Sequence, residues 1–177
     1  MVRKPARMYR RITGPAYTRK EFIAGIPQPR IHEFEHGDLK NPNRFEYTLN
    51  LVAEEDCQIR HTALEAARIA ANKYLMTALG ATNYYLKIRV YPHHVLREHK
   101  MATGAGADRI SSGMSMAFGK PVGTAARVRS GDTIIILKVN GADIEKAKQA
   151  LRKAKMKLPT PARINIFQSN VKEGISS

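Results

Sequence analysis

The chain has 177 residues, enough for one domain with a hydrophobic core, and 43% of them are hydrophobic, which argues against wholesale disorder. Its 30 Lys and Arg residues against 15 Asp and Glu give a net charge of +15, so we expect a polyanionic partner, nucleic acid ahead of an anionic membrane. No apolar run approaches the roughly 18 residues that span a bilayer. The basic N-terminus is not followed by the apolar segment of a signal peptide. The single cysteine, Cys57, excludes an internal disulfide and a zinc cluster of cysteines, and indicates a reducing intracellular setting.

Residues 1–30 are predicted to form a basic extended arm. Prolines and glycines interrupt any helical or strand period, and the first 20 residues carry seven cations and no acid. Aromatic side chains able to stack on bases lie among the cations, notably Tyr17 and Phe22. A disordered tail is the alternative. The candidate RNA-binding residues of the arm are Arg3, Lys4, Arg7, Tyr9, Arg10, Arg11, Arg19 and Lys20.

Residues 31–177 are predicted to form a single α+β domain. An acidic stretch, residues 21–60, spans the end of the arm and the start of this domain. From Arg44, apolar and polar residues alternate as in a half-buried strand. Thr62 and Glu65 have the spacing of a capping box, and Gly80 is expected to end the helix that follows.

The segment 84–91 alternates again and predicts a second strand. Its outward face would carry Tyr85, Lys87, Arg89 and Tyr91, two cations framed by two tyrosines. That face suits RNA, although a solvated sheet face explains the pattern equally well.

The C-terminal part predicts an apolar strand (133–139), a helix with an apolar stripe from Ile144 to Leu158, and a last strand (163–169). The other face of this helix is basic, which fits either solvent or phosphate contact. The element order predicts two helices packed on a mixed or antiparallel sheet.

Between these elements, residues 99–118 are rich in Gly, Ala, Ser and Met and show no helix or strand period, so a long flexible loop is expected. Arg109 stands where a dinucleotide-binding loop needs its third glycine, and Gly119-Lys120 is followed by proline, which excludes a Walker loop. We therefore expect the loop to recognise RNA, and residues 119–129 to return along an RNA-facing sheet edge. The candidate RNA-binding residues of sheet and loop are Lys87, Arg89, Arg97, His99, Lys100, Arg109, Lys120, Arg127 and Arg129.

No constellation for catalysis, metal binding or a cofactor is found. His93 and His94 are adjacent and would point in different directions, and Ser111 and Ser112 have no base at helical or strand spacing. The residues alone therefore predict no catalytic site, no cofactor site and no metal site.

Four segments carry a resemblance that covers essentially the whole chain. They are "RKPARMYRRITGPAYTRKEFIAGIPQPRI", "RHTALEAARIAANKYL", "KIRVYPHHVLREHKMATGAGADRISSGMSMAFGKPVGTAARV" and "VNGADIEKAKQALRKAKMKLP". They resemble the L-ten-e family of archaeal and eukaryotic large-subunit ribosomal proteins, the counterpart of bacterial L-sixteen. The short C-terminus resembles the archaeal form.

The resemblance implies an α/β-hammerhead sandwich and a structural role, not an enzymatic one, in the large ribosomal subunit of the cytoplasm. It implies binding to 23S ribosomal RNA near 5S ribosomal RNA and the central protuberance, with neighbouring ribosomal proteins as further partners. The loop 99–118 would point toward the peptidyl-transferase centre and help to shape the aminoacyl-tRNA site. Off the ribosome a monomer is expected, with no membrane partner.

Two alternatives remain open from the sequence. One is an RNA-modifying enzyme that uses the loop as a substrate clamp, for which only Asp108 and the nearby serines offer chemistry. The other is an assembly or translation factor that visits the ribosome transiently.

Overall fold

A computed structural model gives the structure of the chain and describes residue 10 and residues 12–99, 104–110 and 118–168. The strands are β1 (Glu35–Gly37), β2 (Tyr47–Ala53), β3 (Cys57–Arg60), β4 (Tyr85–Ile88), β5 (His94–Glu98), β6 (Lys120–Val128), β7 (Thr133–Val139) and β8 (Ala162–Gln168). The helices are α1 (His61–Leu79), α2 (Ala107–Ile110) and α3 (Ile144–Lys155), with 3-10 turns at Lys20–Phe22 and Gly141–Asp143.

The described strands form two antiparallel sheets. The larger sheet has the order β1-β4-β7-β2-β8, and the smaller has the order β3-β6-β5. The predicted α+β class is confirmed. The pairs are antiparallel throughout the described strands, and the single sheet expected from the sequence is in fact two, because the short strands β3 and β5 pair with β6 and not with the large sheet.

The hydrophobic core lies between the large sheet and the helices α1 and α3. Leu49 of β2 is opposite Leu137 of β7, and both side chains are fully buried. Alanines form much of the buried stripe of both helices, so the helices approach each other closely. The contact includes a hydrogen bond from Tyr74 Oη to Gln149 Oε1 (2.5 Å). The buried helical residues are Leu64, Ala67, Ala71, Leu75, Ala147, Ala150, Leu151 and Ala154.

The predicted capping box at the start of α1 is wrong. The helix begins at His61, and its N-cap residue, Arg60, makes no side-chain cap hydrogen bond. Glu65 accepts two hydrogen bonds from Arg68 (2.8 and 2.6 Å), so its carboxylate is engaged one turn further along the helix. The predicted end of the helix is confirmed, since Gly80 caps it with a positive φ of 79°.

Two further predictions about the sheets are corrected. Tyr85, expected to face outward, is 7% exposed and lies beside Lys138 of the neighbouring strand β7. Residues 119–129 were expected along a sheet edge, but β6 is the middle strand of the small sheet, between β3 and β5. A strand of small residues such as Gly123, Ala125 and Ala126 fits this crowded position.

The loop 99–118 lies largely outside the described residues. Within it the structure describes residues 104–110, and these include the single-turn helix α2, which the absence of a sequence period did not predict. The predicted flexibility of the remaining loop residues lies outside the described part of the chain.

Candidate nucleic-acid interface

The N-terminal arm packs against the small sheet. The Tyr17 backbone N–H donates to His94 Nδ1 (2.9 Å), and the Val95 N–H donates to the Tyr17 carbonyl (3.0 Å). Arg127 of β6 donates from Nη1 to the Gly14 carbonyl (2.8 Å). Ile23, further along the arm, is only 7% exposed. These contacts fix residues of the arm along the edge of β5.

A groove lies between the arm and the small sheet, formed by two adjoining concavities of about 460 and about 530 Å³. Both are lined by Tyr17, Phe22 and Arg97. Lys120 lines the first concavity, and Arg19 and Arg127 line the second. None of the described residues that line either concavity is acidic, so the groove is electropositive and attracts polyanions.

Aromatic rings in the groove are placed for contact with planar groups. The Arg97 guanidinium lies 4.5 Å from the centre of the Tyr17 ring, and its Nη1 donates to the Phe118 carbonyl (3.2 Å). Phe22 is 69% exposed, although it stands in a short 3-10 turn of the arm. Exposed aromatic rings beside arginines are the combination that binds unpaired bases and their phosphates.

His94 holds the arm without adding charge to the groove. Burial lowers the pKa of His94 to about 4, and the nearby cations Arg127 and Arg97, together with His93, act in the same direction. The imidazole is therefore neutral at pH 7. Its unprotonated Nδ1 accepts the Tyr17 N–H, which a protonated ring could not do.

The groove borders the ends of the loop 99–118. The rings of His99 and Phe118 pack edge to face with centroids 4.8 Å apart, and Phe118 is 54% exposed. Lys120, two residues further on, is exposed at the start of β6. The loop therefore leaves and rejoins the domain beside the groove.

The structure gathers only some of the predicted binding residues in the groove. Arg19, Arg97, Lys120 and Arg127 line it. Arg10 lies 3.8 Å from Glu55 outside it. Of the other predicted residues whose side chains are described, none lines the groove: Lys87, Arg89, His99, Arg109 and Arg129. For Lys20 only the backbone is described. Outside the described residues lie Arg3, Lys4, Arg7, Tyr9, Arg11 and Lys100.

Gln58 and His94 are among the groove residues that were not predicted from the sequence. Gln58 belongs to β3, a strand too short to show a period. His94 was considered only as a metal ligand and rejected, and nothing in the sequence indicates that its partner is a backbone amide 77 residues away.

Other kinds of site find little support in the described part of the chain. No group of three or more His, Cys, Asp or Glu side chains there is placed to hold a metal ion. Cys57 is buried, and burial raises the pKa of its thiol, so the reactive thiolate is disfavoured. Among the described helices, none combines the length and the apolar character needed to cross a membrane.

Known proteins of one family match this chain over nearly its full length. The family described as Ribosomal protein L16p/L10e matches residues 12–165. The protein named "Large ribosomal subunit protein uL16" of Picrophilus torridus is 62% identical over 170 residues, covering 96% of each chain. Its namesake in Thermoplasma acidophilum is 61% identical over 94% of this chain and 93% of its own. That of Methanocella arvoryzae is 56% identical over 93% of this chain and 94% of its own.

Proposed function

The chain belongs to the ribosomal protein L16p/L10e family, and we propose that it holds ribosomal RNA in the groove between its N-terminal arm and its small sheet. Membership of this family makes the chain a structural, non-enzymatic constituent of the large ribosomal subunit and places it on the cytoplasmic ribosome. Ribosomal RNA and neighbouring ribosomal proteins are its partners there.

The observation that carries the proposal is the composition of the groove. Two arginines, Arg97 and Arg127, are fixed by hydrogen bonds to backbone carbonyls, while Arg19 and Lys120 are exposed at its rim. Fixed guanidinium groups beside Tyr17 and Phe22 offer both phosphate contact and a stacking surface. A groove with these groups and no acidic lining among the described residues is suited to a bent or unpaired RNA segment.

The finer placement rests on the sequence resemblance. In this proposal the RNA is 23S ribosomal RNA near 5S ribosomal RNA and the central protuberance. The loop 99–118 extends from beside the groove toward the aminoacyl-tRNA site, and the ring contact between His99 and Phe118 supports its starting point there. The cations of the arm outside the groove add phosphate contacts along the same RNA.

A salt titration tests the groove. We expect the double change Arg19→Gln and Lys120→Gln in the full chain to lower the slope of log affinity against log salt for large-subunit ribosomal RNA by about 1 to 2, since each phosphate contact contributes about 0.7 to 0.9. Lys40→Gln with Lys73→Gln is the matched control, because both residues are exposed and lie outside the groove. Equal slopes for the two pairs would show that net charge and not the groove governs binding.

Sedimentation separates a constituent from a visiting factor. The native protein is expected to travel with the large subunit through washes of rising salt that strip transient factors. Release together with those factors would favour the alternative of an assembly or translation factor.

A further inference from the structure

The large sheet has an outer face, on the side away from the core that α1 and α3 share with it. Arg163, Asn165 and Phe167 occupy alternate positions of β8, so their side chains project from the same face. The intervening residues are opposite Leu49 and Leu51, which are fully buried in the core with the helices. Arg163, Asn165 and Phe167 therefore stand on the outer face.

The strand register extends this face across the sheet. Asn165 is opposite Asn50 of β2, Asn50 is opposite Ile136 of β7, and Ile136 is opposite Lys87 of β4. All four side chains are partly exposed, whereas Val52 and Tyr85 on the same face are only 4% and 7% exposed. The outer face is therefore open around these four residues and covered around Val52 and Tyr85.

Charge on this face is predominantly positive. Arg163 is exposed on β8, and Arg89 is exposed just beyond the end of β4, where its N–H donates to the Ile134 carbonyl. The carboxylate in this row belongs to Glu35 on the opposite outermost strand, β1, and lies 2.7 Å from Lys87 Nζ. Among the described β8 residues on this face, the charged one is Arg163, so a polyanion is the complementary partner along this strand.

The β8 half of the face also carries groups that bind bases. Phe167 is 52% exposed on the outermost described strand of the sheet. Beside it, Asn165 and Asn50 present two amides, and each amide both donates and accepts hydrogen bonds. Asn50 Oδ1 is buried and has no hydrogen-bond partner among the described residues, so turning this amide toward a ligand breaks no bond at its oxygen.

We propose that the outer face of the large sheet is a second RNA-binding surface, which takes unpaired nucleotides. Phe167 stacks on a base, Asn165 and Asn50 hydrogen-bond to base edges, and Arg163 contacts the adjacent phosphate. The inference rests on the proposed function, since it assumes ribosomal RNA as the partner. It adds a contact surface on a different sheet from the groove.

Binding of a defined oligonucleotide to the full chain tests this surface. The probes are a fluorescein-labelled single strand of ten uridines and a blunt duplex of the same length. We expect Phe167→Leu to weaken single-strand binding about ten-fold, because the stacking ring is lost while apolar bulk is retained. Phe167→Trp is expected to keep or increase that affinity, and neither change should alter duplex binding. Melting temperatures check that both variants are folded.

Photocrosslinking gives a second readout. With thiouridine in the single strand, we expect crosslinked peptides from residues 162–168. Unchanged affinity of Phe167→Leu, or crosslinks confined to the groove, overturns the second surface and leaves the groove proposal intact. If the unaltered chain binds no RNA, both the groove proposal and the second surface are overturned. If Phe167→Leu binds RNA normally but loses a ribosomal protein from the purified subunit, the face docks protein and the proposal is wrong.

Discussion

The hydrogen bond from Tyr17 to His94, one of the contacts that hold the arm, requires an unprotonated imidazole nitrogen. Arg127, Arg97 and His93 face this imidazole, and burial lowers its pKa to about 4. In the unfolded chain the same group titrates near 6.5. Because the folded state disfavours the charged form, His94 contributes stability that is complete above pH 6.5 and is lost as the pH falls toward 4.

We therefore predict that acidification from pH 6.5 to pH 4 weakens the folded state through His94 by no more than about 3 kcal/mol, the size that such a pKa difference allows. Urea unfolding at several pH values measures it. His94→Asn is the matched variant, since the amide oxygen can replace Nδ1 as acceptor but does not titrate. Its stability should depend less steeply on pH over this interval.

Other groups make the comparison with His94→Asn necessary. The pKa of His61 is lowered by burial, and so is that of His36, hence both also favour stability above their ordinary pKa. Their contribution is common to both proteins and cancels in the difference. Identical pH profiles for the two proteins would mean that the Tyr17 contact does not depend on the ionisation of His94.

The junction between helix α1 and strand β1 depends on an ion pair that is mostly buried. Arg68 and Glu65 are each 12% exposed, and Arg68 Nη1 lies 2.7 Å from His36 Nε2 on β1. Glu33 lies 3.1 Å from the other ring nitrogen of His36. The hydrogen bond from Arg68 lowers the pKa of Glu65, so this carboxylate stays ionised. The chain of contacts ties the short edge strand to the helix.

Arg68→Ala is predicted to destabilise the fold by about 3 kcal/mol, because it leaves the Glu65 carboxylate partly buried without its partner. Thermal or urea unfolding gives the value. Lys148→Ala is the comparison, since it breaks a pair of the same spacing whose acid, Glu145, is 73% exposed. Such an exposed pair contributes little. Equal losses for the two variants would show that burial of the Arg68 pair is unimportant.

Periodicity in the sequence predicted the long elements of the molecule. The strands β2, β7 and β8 and the helices α1 and α3 were all expected from their apolar spacing. The strands β1, β3 and β5 were missed because three to five residues are too few to show alternation. Tyr85 was expected to be exposed. It is buried because its neighbours on the adjacent strands cover it.

The candidate binding surfaces were predicted only in part. Basic residues can be recognised as candidates from their charge alone. One groove does bring together Arg19, Arg97, Lys120 and Arg127. Their meeting depends on contacts between residues 77 to 113 positions apart, such as those of His94 and Arg127 with the arm. Similarly, the alternation in β8 predicted a strand, but only the sheet order shows that β8 is an outermost described strand of the large sheet.

Charge is distributed unevenly along the chain. The net charge is +15, yet residues 21–60 carry twice as many acids as bases, and the first 20 residues carry cations alone. Several cations of the described domain are engaged internally, as Lys146 is with Asp143 (2.9 Å). The affinity for RNA should therefore depend more on the N-terminal cations than their share of the total charge suggests.

This uneven distribution predicts that Arg7→Gln with Arg11→Gln lowers the salt slope of binding to large-subunit ribosomal RNA by about 1.5, because two phosphate contacts are lost at about 0.7 to 0.9 each. The melting temperature of the free protein should stay unchanged. Lys40→Gln with Lys73→Gln removes the same charge from exposed sites of the domain and should leave the slope nearly as it was. Equal reductions by both pairs would mean that RNA responds to total charge, in which case the arm has no special place in the interface.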